Sequence, residues 1–177
     1  LWNEQTVRLS RFFYTFELTA IKGALAKMRY SMKSLIILRG VGGQGKSTSL
    51  NVLKKKLEEN STYDSIMLVP HPDGYDWISI FGGPSRKVGI ISFGDPGAED
   101  HVDSVLRDML AEDVDIIFAA SRTRGGVLDL IYEFAKENSY RIIVTAPLHL
   151  ENQNEQTVIE TLNSECADML INLIEKL

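Results

Sequence analysis

Residues 35–50 read LIILRGVGGQGKSTSL, and few chain arrangements accommodate them. The opening LIIL is an unbroken apolar run, the pattern of a strand buried on both faces. The closing stretch continues as KSTSLNVLKKKLEEN, with Leu50, Leu53 and Leu57 at helical spacing and lysines and glutamates mostly on the other face. Between the two lie Gly40, Gly42, Gly43 and Gly45. A buried strand that turns into a helix through so many glycines is the opening unit of an alternating α/β fold.

The alternation continues along the chain. SIMLVP is a second strand, stopped by Pro70 and followed by the turn-rich HPDGYD. WISIF and KVGIISF, separated by a Gly-Gly-Pro-Ser turn, read as an antiparallel hairpin. AEDHVDSVLRDMLAED is a helix with Val102, Val105, Leu106, Met109 and Leu110 facing inward. DIIFAA is a strand, SRTRGG a loop, VLDLIYEFAKEN a helix and YRIIVTAP a last strand. NEQTVIETLNSECADMLINLIEKL is a long amphipathic helix with a stripe of Val158, Leu162, Cys166, Met169, Leu170, Leu173 and Leu177. The pattern predicts a three-layer α/β fold: a mainly parallel five-stranded sheet, one added antiparallel hairpin strand at 77–81, and helices on both faces. With 177 residues, 44% of them hydrophobic, the chain suffices for one domain of this kind.

The glycine loop is where chemistry concentrates. Gly40 to Ser47, GVGGQGKS, fits the spacing G-x-x-x-x-G-K-[ST] between a strand and a helix. Glycines let successive backbone N–H groups point at one anion, and the helix start adds partial positive charge. Lys46 then reaches β- and γ-phosphate oxygens, Ser47 offers a hydroxyl to Mg²⁺, and Thr48 reaches a phosphate from the first helical turn. The plain alternative is a glycine-rich turn that caps a helix. GVGGQGKS is the Walker A pattern, and residues 32–177 resemble P-loop NTPases, among them the small P-loop kinases. The resemblance implies that Gly40, Gly42, Gly43, Gln44, Gly45, Lys46, Ser47 and Thr48 bind a nucleoside triphosphate with Mg²⁺.

Proteins of that family usually carry an acidic residue at the end of another strand. Here Asp95 follows VGIISFG, two residues past the apolar run. It is either the second metal residue beside Ser47 or a turn residue before Pro96 and Gly97. ATP is expected rather than GTP, because the guanine-reading N-K-x-D pattern does not occur in the chain. Val41 stands where partition-type ATPases have a second lysine. Arg122 and Arg124, in SRTRGG at the carboxyl edge of the sheet, are placed to clamp phosphates as lid arginines do in P-loop kinases. In the competing reading Ser121 or Thr123 caps the next helix and both arginines are solvated. Lys46, Asp95, Arg122 and Arg124 form the expected catalytic set. A kinase also needs an acceptor site. PHPDGYDW carries His71, Asp73, Tyr75 and Asp76, which read as an acceptor-side base or simply as a turn. His101, His149, Trp2 and Trp77 are expected to be structural or surface residues.

Formal net charge is −5, which gives no general signal for nucleic acid. Residues 1–33 carry six basic and two acidic side chains, so the charge is uneven. Segment 1–31 reads as a helix packed on the domain, as a partner- or membrane-surface helix, or as an appendage ahead of a native start at Met32. The lone Cys166 excludes an internal disulfide, and there is neither a long apolar run nor a secretory pattern. The chain is therefore expected in the cytoplasm. The expected function is a small phosphotransferase or NTPase using Mg-ATP with an unknown small-molecule acceptor. The alternative is a nucleotide-dependent switch or ATPase subunit acting on a protein partner.

Overall fold

The LIIL run lacks alternation because both of its faces are covered. In the computed structural model it forms β1 (Ser34–Arg39), with Leu35, Ile36, Ile37 and Leu38 fully buried. The structure describes residues 32–70, 77–150 and 155–177. Segment 1–31 with Trp2, and His71, Asp73, Tyr75 and Asp76 of the turn-rich loop, lie outside the described residues.

After β1 come α1 (Lys46–Glu59), β2 (Asp64–Pro70), β3 (Trp77–Gly82), β4 (Lys87–Ile91) and α2 (Glu99–Ala111). They are followed by β5 (Ile116–Ser121), α3 (Gly126–Glu137), β6 (Arg141–Thr145) and α4 (Gln156–Lys176). The strands form one six-stranded mixed sheet in the order β2-β3-β4-β5-β1-β6. β4, β5, β1 and β6 are parallel neighbours, while β3 runs antiparallel to both β2 and β4. Five strands therefore point one way, and β3 is the one reversed strand expected from the Gly-Gly-Pro-Ser hairpin.

Side chains alternate across this sheet and feed two cores. One gathers Leu35, Ile37, Ile91, Ile117 and Ala119 under α2 and α3. The other gathers Ile36, Leu38, Ile90, Ile116 and Phe118 under α1 and α4. Leu50, Leu53 and Leu57 are the buried stripe of α1, as their spacing requires. Two helical faces differ from the pattern. On α2, Leu110 is 36% exposed while Met109 is buried, since consecutive helical residues are about 100° apart and only one can point at the sheet. On α4, the buried stripe is Asn163, Cys166, Ala167, Leu170 and Ile174, and Met169 is exposed. The small Ala167 lets this face lie against α1, where Lys56 of α1 donates to Asp168 and Ser164 of α4. Val158, Leu162, Leu173 and Leu177 flank that stripe, half-buried.

The parallel strands end level with one another. Leu38 of β1 is paired with Ala120 on one side and Thr145 on the other, and Ile91 of β4 with Ala119. The loops that follow β1, β4, β5 and β6 consequently leave the same edge of the sheet. Among the described residues no helix is long and apolar enough to cross a membrane.

The α2 orientation is open to a direct comparison. Met109→Ala is expected to cost about 2–5 kcal/mol in urea unfolding, whereas Leu110→Ala costs less than about 1 kcal/mol. Equal costs would mean that α2 is rotated from the face described here.

Candidate functional site

The level strand ends put a cavity of about 470 Å³ at the carboxyl edge, lined by the glycine loop and by the loops after β4, β5 and β6. Its floor is the turn from β1 into α1. Gly45 is the residue before α1, with φ of 75°, a conformation that glycine adopts without strain. It has no side chain to cap the helix, and the first turn of α1 holds no acidic residue. The first N–H groups of α1 thus have no side-chain cap and face the cavity together with the partial positive charge of the helix start.

Lys46 curls back over this loop and donates to the Val41 carbonyl (2.8 Å). Gln44 ties the loop on two sides. Its Oε1 accepts from the Val41 backbone N–H (2.9 Å), and its Nε2 donates to His149 Nε2 in the loop after β6 (3.0 Å). Ser47 donates to the carbonyl of buried Ser92 just past β4 (2.7 Å), which leaves its oxygen lone pairs free to meet a cation. Thr48 lines the cavity in the first helical turn.

Across the cavity stand Asp95 and Arg122. Asp95 reaches this position because the backbone at Gly94 passes directly against β5, where a Cβ would collide with the Ala120 carbonyl oxygen. Arg122 donates from Nε to Asp95 Oδ1, and its Nη1 lies against Gly42 of the loop. Arg124 does not line the cavity and sits by a small separate depression with Pro96 and Gly125. The helix-capping alternative for this loop does not describe what is found. α3 begins after Gly125 with no side-chain cap, and Ser121 donates to the Arg122 carbonyl instead.

Burial pushes the Lys46 ammonium below the ordinary lysine pKa, the nearby Arg122 charge pushes the same way, and Asp95 partly opposes them. Glu160 of α4 also lines the cavity, so two cations and two carboxylates share it, and Arg122 and Asp95 are the charges that act on Lys46. Among the described residues there is no cluster of three or more His, Cys, Asp or Glu that could hold a metal by itself. Ser47 and Asp95 both line the cavity, and their oxygens are of the kind that would suit Mg²⁺, which commonly takes one or two protein ligands and completes its shell with phosphates and water.

Several residues reach the site with no motif to announce them. His149 lines the cavity and holds Gln44, although its sequence context reads as surface. Leu148 and, from α4, Gln156, Ile159, Glu160, Leu162 and Asn163 form the far wall. Only the amphipathic pattern of α4 hinted at them, and it pointed to core packing. His101 stacks on Phe93 with ring centroids 4.8 Å apart, a structural role, and Trp77 carries Lys54 over its ring. No protein-family model, curated protein or solved structure matches the chain.

The lowered pKa of Lys46 has a consequence for stability. A lysine with a lowered folded-state pKa destabilises the fold fully at pH values below that lowered pKa, and the cost disappears as pH rises toward the unfolded value. Lys46→Met is therefore expected to melt no lower than the wild type at neutral pH without ligand, with any advantage shrinking as pH approaches 10.5. A clear loss of melting temperature at neutral pH would show that Lys46 stabilises the empty fold instead.

Proposed function

We propose that this chain is a P-loop nucleotide-binding protein that uses Mg-ATP, with phosphoryl transfer to a small acceptor as the leading activity. One observation carries the reading. The strand–glycine loop–helix turn presents an uncapped helix start, Lys46 and Ser47 to the same cavity that receives Asp95 and Arg122 from two other strand ends.

Each group has a role that chemistry supports. The loop N–H groups and the helix start hold phosphate oxygens. Lys46 exchanges the Val41 carbonyl for the β- and γ-phosphates, where its charge is matched. Ser47 and Asp95 hold Mg²⁺, which neutralises charge on the phosphate oxygens when bound. Arg122 keeps its Nη groups toward the loop while Nε is on Asp95, so it can donate to the transferring phosphoryl group without leaving its place. The apolar part of the far wall, Leu148, Ile159 and Leu162, suits the flat face of a base, beside the polar Gln156 and Glu160. Adenine remains the proposed base, on the missing guanine-reading pattern. The lone thiol of Cys166 is buried and requires no oxidising compartment, in keeping with a cytoplasmic site of action.

A nucleotide-dependent switch or ATPase subunit is the second reading, favoured by one feature. β2 is an edge strand that leaves Ile66, Leu68 and Val69 exposed, a surface suited to a protein partner. ATP consumption against a panel of nucleosides, nucleotides and small hydroxyl compounds separates the two. A phosphorylated product selects transfer; slow hydrolysis indifferent to the panel selects the switch.

Site variants test the core of the proposal. Lys46→Ala is expected to abolish Mg-ATP binding by calorimetry in a folded protein, and unchanged affinity would remove the P-loop reading. Asp95→Asn should lower Mg²⁺-dependent turnover steeply while barely changing metal-free ATP binding. Arg122→Ala should lower turnover at least tenfold, about 1.4 kcal/mol of transition-state stabilisation. Arg124→Ala should stay close to wild type, and the reverse order would reassign the clamp to Arg124.

A further inference from the structure

Asn163 is a buried amide in an otherwise apolar stripe. It is 4% exposed and shares the inner face of α4 with Cys166, Ala167, Leu170 and Ile174. Burying an amide costs free energy unless its hydrogen-bonding groups are matched. Half of that requirement is met inside the protein, since Oδ1 accepts from the hydroxyl of fully buried Ser49 on α1 (3.1 Å). Asn163 also lines the cavity, so solvent or a ligand there can reach the rest of the amide. The same side chain lies against the glycine loop. A Cβ on Gly45 would come within 2.7 Å of Asn163 Oδ1, so only glycine there admits the amide so close to the helix start.

Its place along the cavity follows from α1. Ser47 and Ser49 are two residues apart, and such residues point to nearly opposite sides of a helix. Ser47 turns to the strand end that leads to Asp95, and Ser49 turns to α4. The charged end of the cavity is therefore on the Ser47 side, and Asn163 stands on the other, next to Leu162 and one turn from Ile159. A ligand with phosphates on the loop and a ring against the apolar wall passes Asn163 where the phosphate chain meets the sugar.

We infer that Asn163 is a ligand-binding residue of this site, donating from Nδ2 to the phosphate oxygens nearest the sugar of a bound nucleotide. The inference rests on the nucleotide reading above and adds α4 to the binding machinery. Ser49 fixes Oδ1 and so turns the amide donor to the cavity. Asn163 distinguishes a nucleotide from free pyrophosphate, because pyrophosphate can take the β- and γ-phosphate positions and leave the one nearest the sugar unfilled.

Calorimetry on the full chain with Mg-ATP, Mg-ADP and Mg-pyrophosphate tests this, with melting curves to establish folding. Asn163→Ala is expected to weaken ATP and ADP at least tenfold and to leave pyrophosphate within about threefold of wild type. Asn163→Asp keeps shape and size but replaces the donor with a carboxylate oxygen, so its loss for ATP should be at least as large. If the alanine variant does not fold, the aspartate variant decides. Equal losses for ATP and pyrophosphate would reduce Asn163 to a support for the loop and overturn the inference. Wild-type affinity in both variants would overturn it too, while leaving the nucleotide reading intact. A wild-type protein that binds none of the three ligands would remove both.

Discussion

The uncapped start of α1 is the constraint on which the site depends. Helices usually satisfy their first N–H groups with a hydroxyl or carboxylate side chain, and leaving buried donors unmatched costs about 1–3 kcal/mol each. No helix of the described residues has a side-chain cap; at α1 Gly45 supplies none and the first turn supplies no acid. Solvent or an anion must do it. β1 holds this start in place because it is buried on both faces and paired on both edges, to β5 and β6. A turn anchored to a strand this enclosed is held in place, so the donors stay preorganised.

Electrostatics extend the same logic. Lys46 and Arg122 bring two cations to a chain whose formal net charge is −5, with Asp95 as the nearby carboxylate. The Arg122–Asp95 pair is largely solvent-accessible, with side-chain exposures of 36% and 68%. Pairs of that kind contribute about 0–1 kcal/mol, little enough to be exchanged for contacts with a ligand. Lys46, by contrast, rests on a neutral carbonyl, which compensates its charge poorly. Both the Arg122–Asp95 and the Lys46–Val41 contacts are therefore cheap to exchange.

Legibility in the sequence tracked how local each feature is. The strand–turn–helix course around GVGGQGKS was readable because its glycines act within a single turn. The reversed strand β3 was readable because Gly-Gly-Pro-Ser connects adjacent strands. Periodicity placed Leu50, Leu53 and Leu57 correctly, but it turned Leu110 and Met169 inward when the structure exposes both. Hydrophobicity alone cannot choose between neighbouring helical positions when more apolar residues are present than one face can bury. The two arginines were indistinguishable as a pair, and the path of the chain past Gly94 and Asp95 brings Arg122 to the cavity while Arg124 falls outside it. His149 and Asn163 carried no motif, and nothing near them in the chain marks them as site residues.

By itself, the sequence determined what short-range forces settle: where strands and helices run and where the chain must turn. Tertiary structure alone decided which distant residues share the cavity. Ser49 and Asn163 are 114 residues apart, Gln44 and His149 are 105, and Asp95 and Arg122 are 27. Their meeting depends on strand order and register, with β1 between β5 and β6 and the parallel strands ending level. Those pairings are long-range choices made by packing two cores on one sheet, and no local pattern of residues encodes them in a form that can be read along the chain.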